Sequence, residues 1–97
     1  EYTASKAALS GIIRQLAMEW CEDSIFINSV FPSMTLTPML RNNLIEDEIT
    51  KLNEKLPLKK LAEPFDTARA IEFIISRENK YITGTGIDIS GGQILNG

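Results

Sequence analysis

Between Leu9 and Trp20 the large apolar residues Leu9, Ile12, Ile13, Leu16 and Trp20 fall at i, i+3, i+4, i+7 and i+11, the spacing of one helix face. This predicts a helix from about Thr3 to Glu22. A second stripe, Ala4, Ala8, Gly11, Gln15 and Met18, carries mostly small side chains on a neighbouring face, where another helix can approach closely. The run Ile25-Phe26-Ile27-Asn28-Ser29-Val30-Phe31 is β-branched and aromatic and stops at Pro32, as a parallel strand buried on both faces does. Thr37-Pro38 starts a helix, because the Thr hydroxyl can accept from an orphan N–H while Pro at the first helical position lacks one. From there to about Lys55, Leu40, Leu44, Ile45, Ile49, Leu52 and Leu56 recur at helical spacing against a polar face of Asn42, Asn43, Glu46, Asp47 and Lys51, predicting one amphipathic surface helix. Asp66 opens a further run, Ala68, Ala70, Ile71, Phe73, Ile74 and Ile75, which reads as a buried helix ending near Arg77. Gly84 and Gly86 then lead into a short strand, Ile87-Asp88-Ile89, closed by Gly91-Gly92.

Helix, strand, helices, helix, strand is the crossover grammar of an α/β sheet. Two strands alone make no independently stable sheet, and the opening helix has two faces to cover. The expected fold class is therefore α/β, the C-terminal part of a doubly wound, Rossmann-type parallel sheet with two visible strands and flanking helices.

Composition narrows the function. The chain has 97 residues, 43% hydrophobic and 24% charged, with no apolar run near the length of a membrane span. Ten Lys and Arg against 13 Asp and Glu, without a single-sign block, give no footprint for nucleic acid. His is absent, which removes His-dependent nucleophile systems and His-ligated metal sites, and no metal site is expected. The lone Cys21 permits no internal disulfide and suits a reducing, cytoplasmic setting. Glu1 to Lys6 contain neither an initiator Met nor the apolar core of a signal peptide, so the chain is expected to begin inside a longer protein.

The candidate chemistry lies at the start. Tyr2 and Lys6 are four residues apart on the opening helix, so one stands above the other on one face. Bringing a tyrosine to ionise near neutrality takes roughly 4 kcal/mol of preference for the phenolate. A cation one turn away supplies that much only in a dry pocket. Such a Tyr can give a proton to a carbonyl oxygen as hydride reaches its carbon, and take it back in reverse.

Tyr2-Thr3-Ala4-Ser5-Lys6-Ala7-Ala8 with Gly11, then Asn28-Ser29-Val30-Phe31-Pro32-Ser33 with Thr37-Pro38-Met39, then Pro57-Leu58-Lys59-Lys60-Leu61-Ala62-Glu63-Pro64, then Tyr81-Ile82-Thr83-Gly84 and Gly91-Gly92 together resemble the C-terminal part of short-chain dehydrogenase/reductases. The look is that of 3-oxoacyl-carrier-protein reductase-like members, over essentially the whole chain. The resemblance implies that Tyr2 is the acid/base and that Lys6 lowers its pKa and bonds the nicotinamide ribose. It implies that Pro32 to Thr37 wraps the nicotinamide end of NAD or NADP, with Pro32 and Ser33 in the loop, Thr35 offering backbone groups to the carboxamide and Thr37 its hydroxyl. A plain helix cap is the alternative reading of Thr37, and both can hold at once. Met39 to Leu56 would form a mobile flap over a small carbonyl or alcohol substrate, and a homodimer or homotetramer is implied for the intact protein.

Three residues depart from the family pattern. Ser33 stands where Gly is usual, so a Cβ restricts a loop meant to lie against the cofactor. Phe31 is larger than the usual small residue, and Ser90 replaces the usual Asp. Gly occurs only at 11, 84, 86, 91, 92 and 97, so the Gly-rich phosphate turn of the family's N-terminal half is absent, as are its upstream catalytic Ser and Asn. Residues 1–97 are therefore expected to be the C-terminal fragment of one oxidoreductase domain, inactive when alone. The alternative is a catalytically inactive remnant acting only as an interaction or oligomerisation module.

Overall fold

The computed structural model describes residues 2–33 and 35–93, with Tyr2 described by its backbone alone. In chain order the elements are α1 (Tyr2–Trp20), a short 3-10 helix (Cys21–Asp23), β1 (Ser29–Pro32), α2 (Pro38–Asn43), α3 (Glu46–Glu54), α4 (Pro64–Ile74) and β2 (Gly86–Ile89). β1 and β2 pair in parallel, with Ser29 opposite Gly86, Val30 opposite Ile87, Phe31 opposite Asp88 and Pro32 opposite Ile89.

β1 is shorter than the apolar run from Ile25 predicts, because the ladder begins only where its partner does. Upstream of Ser29 the two segments are joined by one backbone bond, Gly84 N–H donating to Ile27 C=O at 2.8 Å, and by side chains. Thr83 Oγ1 accepts from Ile27 N–H at 3.0 Å, Asn28 Oδ1 accepts from Thr85 N–H at 3.1 Å, and Asn28 Nδ2 donates to Ile82 C=O at 3.0 Å. Ile25 and Phe26 precede this and are exposed.

Side chains alternate across the pleat, so Ser29, Phe31, Gly86 and Asp88 share one face while Val30, Pro32, Ile87 and Ile89 share the other. α1 covers the first face. Its N-terminal turn brings Lys6 to Phe31 and Asp88, and eleven residues later the Ala17 Cβ lies 3.1 Å from where a Cβ on Gly84 would stand. α1 therefore runs antiparallel to the strands, with its N-terminus at their carboxyl ends. α4 packs against both strands from the other face, where Asp66 and Ile89 border one pocket.

The sheet-facing stripe of α1 is Lys6, Ile13 and Ala17, with Ile13 and Ala17 buried. It differs from the Leu9 stripe of the periodicity, of which Leu9, Ile12 and Trp20 remain exposed. A small residue, Ala17, takes the closest approach to Gly84, and the Lys6 cation takes the end of the stripe.

Two helix boundaries also differ. The single helix expected from Thr37 to Lys55 is two, because Leu44 and Ile45 are extended and α3 restarts with Glu48 Oε1 accepting Ile45 N–H at 3.0 Å. α4 begins at Pro64, with Asp66 Oδ2 accepting Glu63 N–H at 2.7 Å, and stops at Ile74 instead of Arg77. α4 is also not buried: Phe65 is 71% and Phe73 51% exposed, since nothing among the described residues covers its outer face. Buried apolar side chains among the described residues are confined to Ile13, Ala17, Phe31, Ile49 and Leu61.

Asn79 ties α4 to the approach to β2. Its side chain, in a residue 8% exposed, donates to Ile74 C=O at 2.9 Å and Ile82 C=O at 3.0 Å, and accepts from Ile82 N–H at 2.9 Å and Tyr81 N–H at 3.3 Å. No described helix is long and apolar enough to cross a membrane.

Candidate active site

The antiparallel run of α1 carries its first turn to the carboxyl ends of the strands, the end of a parallel α/β sheet at which ligands bind. Lys6 sits there with its side chain 13% exposed. Its Nζ donates to Asp88 Oδ1 at 2.6 Å and lies 4.8 Å from the centroid of the Phe31 ring. Half of the Asp88 side chain is in water, so the pair contributes at most about 1 kcal/mol to stability and its larger effect is to orient the ammonium. Gly86 makes room for this arrangement. The Phe31 ring lies across the neighbouring strand, and a Cβ on Gly86 would stand 2.8 Å from its Cε2.

Tyr2 opens α1 one turn before Lys6, about 6 Å further along the axis at 1.5 Å per residue. Its side chain lies outside the described atoms.

The other candidate residues lie along the segment leaving β1. Pro32 ends the strand and is exposed, and Ser33 N–H extends the ladder by donating to Ile89 C=O at 3.1 Å. Ser33 does not adopt a left-handed backbone, which among described non-glycine residues occurs at Ser24 and Lys59. A Cβ at position 33 therefore sits on backbone that non-glycine residues adopt. Met34, inside the expected cofactor loop, lies outside the described residues. Thr35 bridges in parallel to Ala62, with Leu36 N–H donating to Ala62 C=O at 2.7 Å, so Thr35's own amide edge faces away from Ala62. The Thr35 hydroxyl donates to Ser33 C=O at 2.9 Å. Thr37 caps α2, its hydroxyl accepting Leu40 N–H at 3.3 Å.

These residues divide between two sides of the sheet edge. Lys6, Phe31 and Asp88 stand on the α1 side, while Ser33 borders a pocket of about 210 Å³ on the α4 side, with Leu58, Leu61, Asp66, Ile89 and Ser90. Asp88 escaped the sequence reading. Its one signal was a charged residue between two isoleucines of a short strand, which alternation places on the face opposite theirs. Among the described residues no three His, Cys, Asp or Glu side chains gather as a metal-ligand set.

Known proteins match along nearly all of this chain. The sequence profile of a family described as enoyl-(acyl carrier protein) reductase matches residues 1–93. Acetoacetyl-CoA reductase of Acinetobacter sp. (strain RA3849) is 37% identical over 94 residues, which are 97% of this chain and 38% of that protein. The human (3R)-3-hydroxyacyl-CoA dehydrogenase is 35% identical over 94 residues, 97% of this chain and 36% of that protein. Among solved structures, ElxO with NADP bound superimposes with a TM-score of 0.81 at 30% identity, over 94% of this chain and 38% of its own. The chain thus spans less than two fifths of the length of these relatives. On the match to residues 1–93 and the shared α/β fold, the chain belongs to the short-chain dehydrogenase/reductase family.

Proposed function

We propose that residues 1–97 supply the C-terminal part of an NAD- or NADP-dependent oxidoreductase that moves hydride between a nicotinamide and a carbonyl or hydroxyl carbon. The observation that carries this reading is the run of α1, which sets Lys6, one turn after Tyr2, against Phe31 and Asp88 at the carboxyl ends of the strands, the edge from which the segment after β1 departs. Support also comes from the relatives, whose names are those of a reductase and a dehydrogenase of acyl-CoA compounds, and from the NADP bound to ElxO.

The residues present suit a nicotinamide nucleotide. Lys6 has three N–H donors, of which the Asp88 contact uses one, leaving donors for ribose hydroxyls. Thr35's N–H, turned away from Ala62, can donate to a carboxamide, while its C=O already accepts Thr37 N–H at 2.9 Å, and the Thr37 hydroxyl accepts Leu40 N–H and keeps its own proton to donate. The bound cofactor supplies or accepts the hydride. Tyr2 donates its phenolic proton to the substrate oxygen in reduction and recovers one from the alcohol in oxidation. Lys6 favours the phenolate form of Tyr2 by its charge. The flap role belongs to α2 and α3. The outward stripe of Ala4, Ala8, Gly11, Gln15 and Met18 is exposed throughout, which supports a homodimer or homotetramer built on α1.

Tyr2→Phe in the intact protein tests the reading. Turnover should fall by about 10² or more while the cofactor dissociation constant stays within about twofold, since only the proton donor is lost. Retention of more than about a tenth of the activity overturns the assignment.

A further inference from the structure

We infer that Asp88 is a positioning residue for Lys6, holding its ammonium over the Phe31 ring at the carboxyl edge of the sheet, one turn from Tyr2. The inference rests on the reading of Lys6 given above. A lysine on a four-carbon stem is the least constrained of side chains, so an ammonium that must face both a phenol and a ribose needs something to fix it. Here three features act together. The strand register sets Asp88 directly opposite Phe31, so both side chains rise from the same face toward α1. Gly86, two residues before Asp88, lets the ring lie across the strand, where a Cβ would come within 2.8 Å of Cε2. The ammonium then rests 4.8 Å above the ring centroid and donates to Asp88 Oδ1 at 2.6 Å.

The asymmetry of burial sets the direction of the effect. Lys6 is 13% exposed and Asp88 51%, so Asp88 is solvated on its far side and orients a cation that is largely removed from water. Removing the carboxylate leaves the ammonium with the ring alone, free to swing toward solvent. An exposed carboxylate makes this a modest hold, to be read as a change of about two- to fivefold, the range for a partly solvated ion pair.

The experiment compares Asp88→Asn, Asp88→Glu and Lys6→Ala in the intact protein. First, all lysines of the cofactor-free protein are acetylated competitively at limiting reagent and the sites quantified by mass spectrometry. Asp88→Asn should raise the labelling of Lys6 about two- to fivefold, while exposed Lys51, Lys55 and Lys80 keep their rates. Second, kcat and the cofactor KM are measured. Asp88→Asn should lower kcat over KM for the cofactor by a similar factor with an unchanged melting temperature, and Asp88→Glu should recover most of it. Unchanged Lys6 labelling in Asp88→Asn overturns the inference, as does a labelling increase with wild-type kinetics, which leaves the pair merely structural. Wild-type activity in Lys6→Ala instead overturns the catalytic reading of Lys6, a result separable from the labelling outcome.

Discussion

Phe31 and Gly86 are diagonal neighbours across the two parallel strands, and the Phe31 ring occupies the space that any side chain at position 86 would need, 2.8 Å from a Cβ there. The contact explains why a residue as large as Phe31 is accommodated next to Pro32. The ring is laid over a glycine and under a lysine, and it is buried to 9% exposure.

Gly86→Ala should therefore destabilise the intact protein by about 1–3 kcal/mol, the cost of forcing a packed ring from its place. Chemical unfolding measures it. Phe31→Ala made in the same background should cost less than Phe31→Ala alone, because the clash disappears with the ring; additive costs would show that the ring does not depend on Gly86.

Asn79→Leu should cost about 2–3 kcal/mol in the same assay. The substitution keeps roughly the volume but removes the Asn79 partner of Ile74 C=O and of the Tyr81 and Ile82 amides in a half-buried connection, while Ile82 C=O keeps its bond from Asn28 Nδ2. Asn79→Asp tests the donor side separately, since a carboxylate still accepts from Ile82 N–H but meets two carbonyl oxygens where the amide donated. A loss under about 0.5 kcal/mol in both variants would place the connection's stability elsewhere.

The sequence disclosed the elements better than their faces. α1 and β2 were legible because helical periodicity persists from Leu9 to Trp20, about three turns, in one and glycines bracket the other. The sheet-facing stripe of α1 was not, because hydrophobic periodicity weighs large side chains, whereas the stripe used carries Ala17 at the close approach to Gly84 and Lys6 at the contact with Asp88. The break at Leu44 and Ile45 hid inside unbroken apolar spacing, and its signal was the acidic run Glu46-Asp47-Glu48, which favours a helix N-terminus. Tyr2, Lys6 and the segment from Pro32 to Thr37 enter as candidates through the family resemblance that their motifs carry. Asp88 does not, since its partnership with Lys6 spans 82 residues and exists only through the strand register.

Lys59 predicts a pair of opposite signs. Its φ of 60° is a left-handed conformation that costs an L-residue about 1–2 kcal/mol, offset in part by its Nζ donating to Glu54 C=O at 2.8 Å. Lys59→Gly removes the Cβ penalty but loosens the unfolded chain and gives up the exposed bond to Glu54 C=O, so the net change should be a gain of about 0.5 kcal/mol. Lys59→Val, β-branched at positive φ, should lose more than about 1 kcal/mol. The two melting temperatures should move apart around the wild type, and a shift of both in one direction would refute the left-handed backbone at this position.

Gly11 distinguishes a free helix face from an occupied one by the sign of a single number. A Cβ at Gly11 meets nothing within 4 Å, so within this chain Gly11→Ala should only gain helix propensity, about 1 kcal/mol. If α1 packs against α1 of a second subunit through Ala4, Ala8, Gly11, Gln15 and Met18, the added methyl enters a close helix contact and stability falls. Gly11→Leu should then also break the assembly, read by small-angle scattering of the intact protein across concentration. A stabilised Gly11→Ala together with an unchanged mass for Gly11→Leu would leave this face in water and put the subunit interface on another surface. A destabilised Gly11→Ala with an intact assembly would instead mean that the stripe is covered from within the same subunit.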